Sequence, residues 1–254
     1  MMEYLRAAIQ FITLLPAGRT PAYYPREMIA FFPAVGLLLG LILAVFDAIA
    51  LQLWPGTFVP AVLDIILLIF LTGALHIDGL ADSADGVFGH RDKESILAIM
   101  KDSRIGVMGM TAVICALAVK FAGISALPAH AAYSRFLILL VIPGFSRAAM
   151  IFAIHRLPYG RPGGGTGFDL FEKPIHLTDY WGLGLCLLLS LFIGWRGIFL
   201  IFVFFALVFG ILYYYRRRMG CVTGDMLGAM TEATESLLFL AAALGGTGLA
   251  TGLS

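Results

Sequence analysis

Residues 28–54 read MIAFFPAVGLLLGLILAVFDAIALQLW, an apolar run whose only charge is Asp47. A helix needs about 20 apolar residues to cross the hydrocarbon core of a bilayer, so this stretch reads as a membrane span. Working outward from it, similar runs bounded by charge lie at about 59–75, 105–127, 133–155, 181–195, 197–215 and 236–253. The chain is 60% hydrophobic and only 13% charged, where soluble proteins carry about 25% charged residues. The expectation is an all-α, polytopic integral membrane bundle, a single domain over residues 1–254 with the lipid bilayer as its surroundings. About seven spans are expected, six to eight because 181–195 and 197–215 are short enough to be half-spanning.

Lysine and arginine total 17 against 16 acids, so no basic excess points to a nucleic acid partner. With seven spans and an inner N-terminus, thirteen of the basic residues, from Arg6 to Arg218, fall inside. Arg196 alone falls outside, and Lys120, Arg135 and Arg147 lie within spans. Positive charge concentrates on the cytoplasmic side of membrane proteins, which fixes that orientation. The first residues lack an uninterrupted apolar core and a cleavage site and are not a signal peptide. Leu5, Ile9, Ile12 and Leu15 share one helical face, as in an interfacial helix. Cys115, Cys186 and Cys221 are an odd set, two within apolar spans and one on the cytoplasmic side, so no disulfide and no cysteine metal site is expected.

The polar residues concentrate in three inner segments, His76 to Arg104, Arg156 to Asp179 and Arg216 to Glu235. Residues 76–86 read HIDGLADSADG, with Asp78, Asp82 and Asp85 at i, i+4 and i+7. On a helix these carboxylates fall within an arc of roughly 60°, where like charges repel and a divalent cation compensates. All-oxygen ligands suit Mg²⁺ or Mn²⁺ rather than zinc; the plain alternative is a solvated acidic helix end. Further on, Asp102 or Ser103 is placed to cap the third span, whose N-terminus, flanked by Lys101 and Arg104, reads as an anion site. In GCVTGDMLGAMTEATE, residues 220–235, Asp225, Gly228, Ala229 and Glu232 share a face on which small residues permit close helix approach. That face is expected to pack near Asp78–Asp85, with Glu235 slightly round. RPGGGTG at 161–167 is a loop whose amides can cradle a phosphate, although it lacks the context of a P-loop. His76, a lone histidine at a helix end, reads either as a base or as a structural hydrogen-bonding residue.

Together HIDGLADSADG, MKDSRIG at 100–106 and GDMLGAMTEATE at 224–235 resemble the cobalamin synthase family, the adenosylcobinamide-GDP ribazoletransferases. The resemblance runs in matching order from the first helix to the last span. It implies a Mg²⁺-dependent multi-pass enzyme of a bacterial or archaeal inner membrane, its active site facing the cytoplasm. It also implies joining of adenosylcobinamide-GDP to α-ribazole or its 5′-phosphate with release of GMP, in the late assembly of vitamin B12. A homo-oligomer is left open. On this reading Asp78, Asp82 and Asp85 are the principal metal ligands, and Asp102, Asp225 and Glu232 complete the set or accept a proton. Lys101, Arg104 and Arg147 contact phosphate. Asp82 to Gly86 also matches the opening of a CDP-alcohol phosphotransferase motif, but Gly89 and His90 stand where that motif requires Ala-Arg. A cation transporter would place its acids nearer mid-membrane.

Four charges sit deeper. Counted from the outer ends of their spans, Asp47, Asp64 and Lys120 share one depth and are expected to pair as a structural network. Arg147 lies toward the inner end of its span and is expected to reach substrate phosphate.

Overall fold

The computed structural model describes residues 1–18, 24–89, 91–129, 131–161 and 167–244. Eleven α-helices follow one another along these residues. They are α1 (Met2–Ile12), α2 (Pro25–Met28), α3 (Phe32–Leu53), α4 (Val59–Thr72), α5 (Leu75–Val87), α6 (Lys93–Ile99), α7 (Val107–Ser125), α8 (Ala132–Arg156), α9 (Trp181–Leu191), α10 (Trp195–Arg218) and α11 (Gly224–Ala242). Short 3₁₀ turns at Ile29–Phe31, Phe168–Phe171 and Leu177–Tyr180 join some of them. The described residues form no strand, only an isolated parallel bridge between Tyr159 and Val222.

Among the described residues four helical segments are long and apolar enough to cross a membrane: Pro25–Leu53, Val107–Ser125, Ala132–Arg156 and Trp195–Arg218. The pair α4 and α5 makes a fifth if it is counted as one bent span. This is fewer than the seven apolar runs, and each difference has a local cause. The run at 59–75 breaks because Gly73 and Ala74 both take left-handed backbone angles. The amide of Ala74 bonds to Ile69 O and that of Gly73 to Phe70 O, the paired closure that ends a helix. α5 then departs at 90°. α9 covers only 11 residues, because the chain turns at Gly194 and the next helix begins at Trp195. The first part of the last run, 236–242, belongs to a helix that begins earlier, at Gly224, and includes three acids; residues 245–253 of that run lie outside the described residues.

α8 is the central element, buried along nearly its whole length. α3 lies against it through Gly36 and Gly40, where added Cβ atoms would collide with the backbone carbonyls of Pro143 and Leu140. Small residues let the two backbones touch, the usual device where lipid supplies no hydrophobic drive between helices. α11 is the second hub and packs on α5, α7, α8 and α10. α1 is amphipathic as expected, with Ala8 and Ile12 buried and Glu3, Arg6 and Gln10 turned outward. Phe11 stacks on Phe32 of α3 with ring centroids 6.1 Å apart.

The deep charges pair differently from the expectation. Asp47 is held by Arg135, whose Nε and Nη2 donate to its two oxygens at 2.7 and 2.6 Å. The same guanidinium donates to the carbonyls of Ile124 and Leu127 at the end of α7. Asp64 is fully buried next to Asp47, as expected, and near Arg135, with no N–H donor at its oxygens. Lys120 takes no part in this group. Gly123 brings α7 onto the backbone of α11 at Phe239, so the lysine meets Glu232 and Glu235 instead.

Candidate active site

α5 carries the aspartate motif as a helix, so Asp78, Asp82 and Asp85 share a face as their spacing requires. Gly79 sets where that helix can lie: a Cβ there would stand 2.6 Å from the carbonyl of Asp225. Gly228 in turn faces the backbone of His76 and Gly79. The expected packing of the two acidic faces is therefore present, through glycines that let α5 and α11 touch. Thr223 caps α11, accepting from the amide of Met226 at 3.2 Å, and Asp225 follows in the first turn.

The cation opposite Asp225 comes from the loop after α8. Gly160 N bonds to Val222 O and Val222 N to Pro158 O, which lays residues 158–160 beside the approach to α11. Arg161 comes next and donates through Nη2 to Asp225 at 2.5 Å and to Met100 O at 3.2 Å. Its Nε is buried without a partner. Residues 162–166, most of the expected glycine loop, lie outside the described residues. Arg161, Asp78, Asp225, His76 and Tyr159 line one cleft between α5, α11 and this loop. His76 is buried, with Nε2 unpartnered.

Electrostatically the cleft is a negative cluster with one guanidinium in it. The Asp82 carboxyl is pushed up to about 6, first by burial and then by the charges of Asp78 and Asp225, with Arg161 opposing. Burial also raises Asp225, against the pull of Arg161. The carboxylates here are oxygen donors, which suit a hard cation. Among the described residues no three His, Cys, Asp or Glu side chains stand close enough to hold an ion unaided.

The remaining candidates lie elsewhere. Asp85 accepts from the amides of Gly106 and Gly109 at 2.6 and 2.8 Å. It is therefore Asp85, not Asp102 or Ser103, that caps α7, and the expected anion site at that helix end already holds a carboxylate. Asp102 and Arg104 form an exposed pair with each other at 2.5 Å, which holds the Asp102 carboxyl down at about 2. Lys101 is exposed beside them and absent from the cleft lining. Glu232 is buried against Lys120 rather than turned to the aspartates.

Arg147 is likewise buried. Its Nη1 donates to Glu235 and, at 2.8 Å, to Ser146, and Lys120 Nζ reaches Glu235 at 2.8 Å. Arg147 thus belongs to an ion network inside the bundle and does not line the cleft. The physical reason is its neighbour: α11 packs on α8 and turns Glu235 toward Arg147 rather than toward the aspartates. The sequence places Arg161 at the start of the RPGGGTG loop, where the backbone amides, not the guanidinium, are expected to reach phosphate.

Comparison with known proteins follows the same lines. The family model described as cobalamin-5-phosphate synthase matches residues 4–243. The chain is similar to the adenosylcobinamide-GDP ribazoletransferase of Syntrophobacter fumaroxidans, 38% identical over 249 residues that cover 96% of this chain and 99% of the relative. A protein of the same name from Pseudomonas putida is 37% identical over 244 residues, 94% of this chain and 97% of the relative. Another, from Desulforamulus reducens, is 34% identical over 254 residues, 96% and 98% of the two chains. No solved structure matches the chain.

Proposed function

The chain belongs to the cobalamin-5-phosphate synthase family, and from that premise we propose that it transfers the cobinamide phosphate of adenosylcobinamide-GDP to α-ribazole or its 5′-phosphate and releases GMP. The observation that carries the reading is the cleft in which Asp78 and Asp225 face Arg161, with Asp82 beside them. A pyrophosphate needs its charge neutralised and its ends held in line with the attacking hydroxyl, and this cleft offers a guanidinium and carboxylates for that work.

Arg161 is the phosphate contact in this reading: it gives up Asp225 and forks onto the pyrophosphate oxygens, which a guanidinium matches in shape. One or two of Asp78, Asp82 and Asp225 would hold a divalent cation, Mg²⁺ or Mn²⁺, since no three of them gather on one ion. Mg²⁺ ordinarily takes one or two carboxylates and completes its shell with water and substrate phosphates, which agrees with a set of acids that is incomplete by itself. When bound, the cation supplies charge neutralisation at the phosphorus under attack. The ribose hydroxyl of ribazole forms the new oxygen–phosphorus bond, its proton passes to a carboxylate of the cluster, and GMP leaves with the electrons of the broken bond. Tyr159, with Phe168 and Phe171 packed on its ring at 5.8 and 5.1 Å between centroids, walls the cleft on the loop side.

The cytoplasmic face of a bacterial or archaeal inner membrane is the setting proposed for this site. Arg156 and Arg216 to Arg218 end α8 and α10, and Arg218 bonds to the carbonyls of Gly89 and Arg91, next to the aspartate helix. Charge of this kind marks the inner face.

The test is an assay of purified protein with adenosylcobinamide-GDP, α-ribazole and Mg²⁺, run beside CDP-diacylglycerol with an alcohol. GMP release that needs both cognate substrates supports the reading, and release of CMP instead would replace it. In the same assay Asp82→Asn should release no GMP while eluting as a folded, monodisperse protein.

A further inference from the structure

We infer that Asp85, the third aspartate of the motif, is a positioning residue that caps α7 from a distance and so fixes the direction of Asp78 and Asp82. The last part of this inference rests on the proposed function.

The first turn of α7 leaves amides that its own helix cannot satisfy. The residues just before it do not supply a cap, since Asp102 is taken by Arg104. Asp85 does so from α5. One oxygen accepts from Gly106 N and the other from Gly109 N, at 2.6 and 2.8 Å, and a carboxylate at a helix N-terminus is further favoured by the helix dipole. Both partners are glycines, and a Cβ on either would collide with the carboxylate. The close approach of α5 to this turn therefore depends on residues from both sides.

The contact is two-pronged, so it sets rotation as well as distance. At the other end of the motif Gly79 rests on the Asp225 backbone, and near its end Gly86 rests on Ile96 and Met100. α5 is thus held on three sides, by α11, α6 and the start of α7. It cannot roll about its axis without breaking the two Asp85 hydrogen bonds. Of three acids on one face, one is spent on this anchorage, Asp78 lines the cleft and Asp82 stands within reach of Asp78 and Asp225.

The experiment compares Asp85→Asn, Gly109→Ala and Asp82→Asn in the full-length protein in detergent, by amide hydrogen exchange over residues 106–110 and by the Mg²⁺ dependence of GMP release. Asp85→Asn and Gly109→Ala should each speed exchange at 106–110 by about fivefold, the effect of losing a typical cap. Both should lower kcat and raise the half-saturating Mg²⁺ to a similar degree, because each loosens the helix that carries Asp78 and Asp82. Asp82→Asn should leave that exchange unchanged and abolish the Mg²⁺ response. Unchanged exchange in Asp85→Asn overturns the capping role. A Mg²⁺ requirement raised in Asp85→Asn but not in Gly109→Ala makes Asp85 a ligand and overturns the positioning role. If Asp85→Asn is not recovered folded, Gly109→Ala decides alone by the same two measurements. Should the parent protein release no GMP, the proposed function falls, while the exchange measurement still decides whether Asp85 is the cap.

Discussion

Glu235 is shared by two cations from two different helices, Lys120 of α7 and Arg147 of α8, in the interior of the bundle. Removing one partner of a buried pair leaves an uncompensated charge and costs about 3–5 kcal/mol. Lys120→Met and Arg147→Met should therefore both lower the melting temperature and the folded yield. Turnover per folded molecule should stay near the parent value in each. Adding Glu232→Gln to Lys120→Met should recover part of the loss, read by thermal unfolding in detergent. Loss of turnover in well-folded Arg147→Met would bring that arginine back to the substrate.

Arg161 gives the opposite pattern. It is at the cleft, and a hydrogen bond to a charged group contributes about 1.5–3 kcal/mol. Arg161→Gln should therefore raise the KM for adenosylcobinamide-GDP by about 10- to 100-fold, with little change in melting temperature. Steady-state kinetics of GMP release measure this, and an unchanged KM would remove Arg161 from the phosphate site.

The pH dependence follows from Asp82. Its carboxyl titrates at about 6 in the folded, metal-free protein against an ordinary value of 3.8. A raised value means that the folded state disfavours the ionised form. The associated stability is present below 3.8 and is lost as pH rises through about 6. Metal-free protein should accordingly lose melting temperature across that window, and Mg²⁺ should restore it only at the upper end, where the carboxylate is ionised. A Mg²⁺ effect equal at both ends would show that Asp82 does not take part.

A fourth expectation concerns the α3–α8 seam. Gly40 faces the Leu140 carbonyl with no room for a Cβ, and overpacking costs about 1–3 kcal/mol. Gly40→Val should reduce thermal stability. Gly184, whose added Cβ would meet nothing within 4 Å, should accept alanine without loss when assayed in parallel.

How much of this was legible beforehand depended on whether the interaction is local. The aspartate face could be read because i, i+4 and i+7 on one helix are a property of that helix alone. The approach of Gly228 to α5 was legible because small residues alternate with acids along α11. The break at Gly73 and Ala74 was hidden, since the apolar run continues to Leu75 and hydropathy carries no backbone angle. The partners of Lys120, Arg135 and Arg147 depend on which helices touch, and single-chain spacing does not encode that. Depth alone matched Lys120 with Asp47 and Asp64, which face another neighbour. Asp85 illustrates the same limit within the motif: its residue type and spacing match those of its two companions, and only the glycines at 106 and 109 distinguish its work.

The bridge between Tyr159 and Val222 joins the two ends of the segment that carries α9 and α10, which pack on α3, α8 and α11. α10 is also among the least enclosed of the spans, with only 28% of its apolar window covered by protein, so lipid is its main neighbour. The separation of Arg161 from Asp225 is therefore set at the base of that segment, where Gly160 and Val222 exchange backbone hydrogen bonds with the opposite stretches of chain.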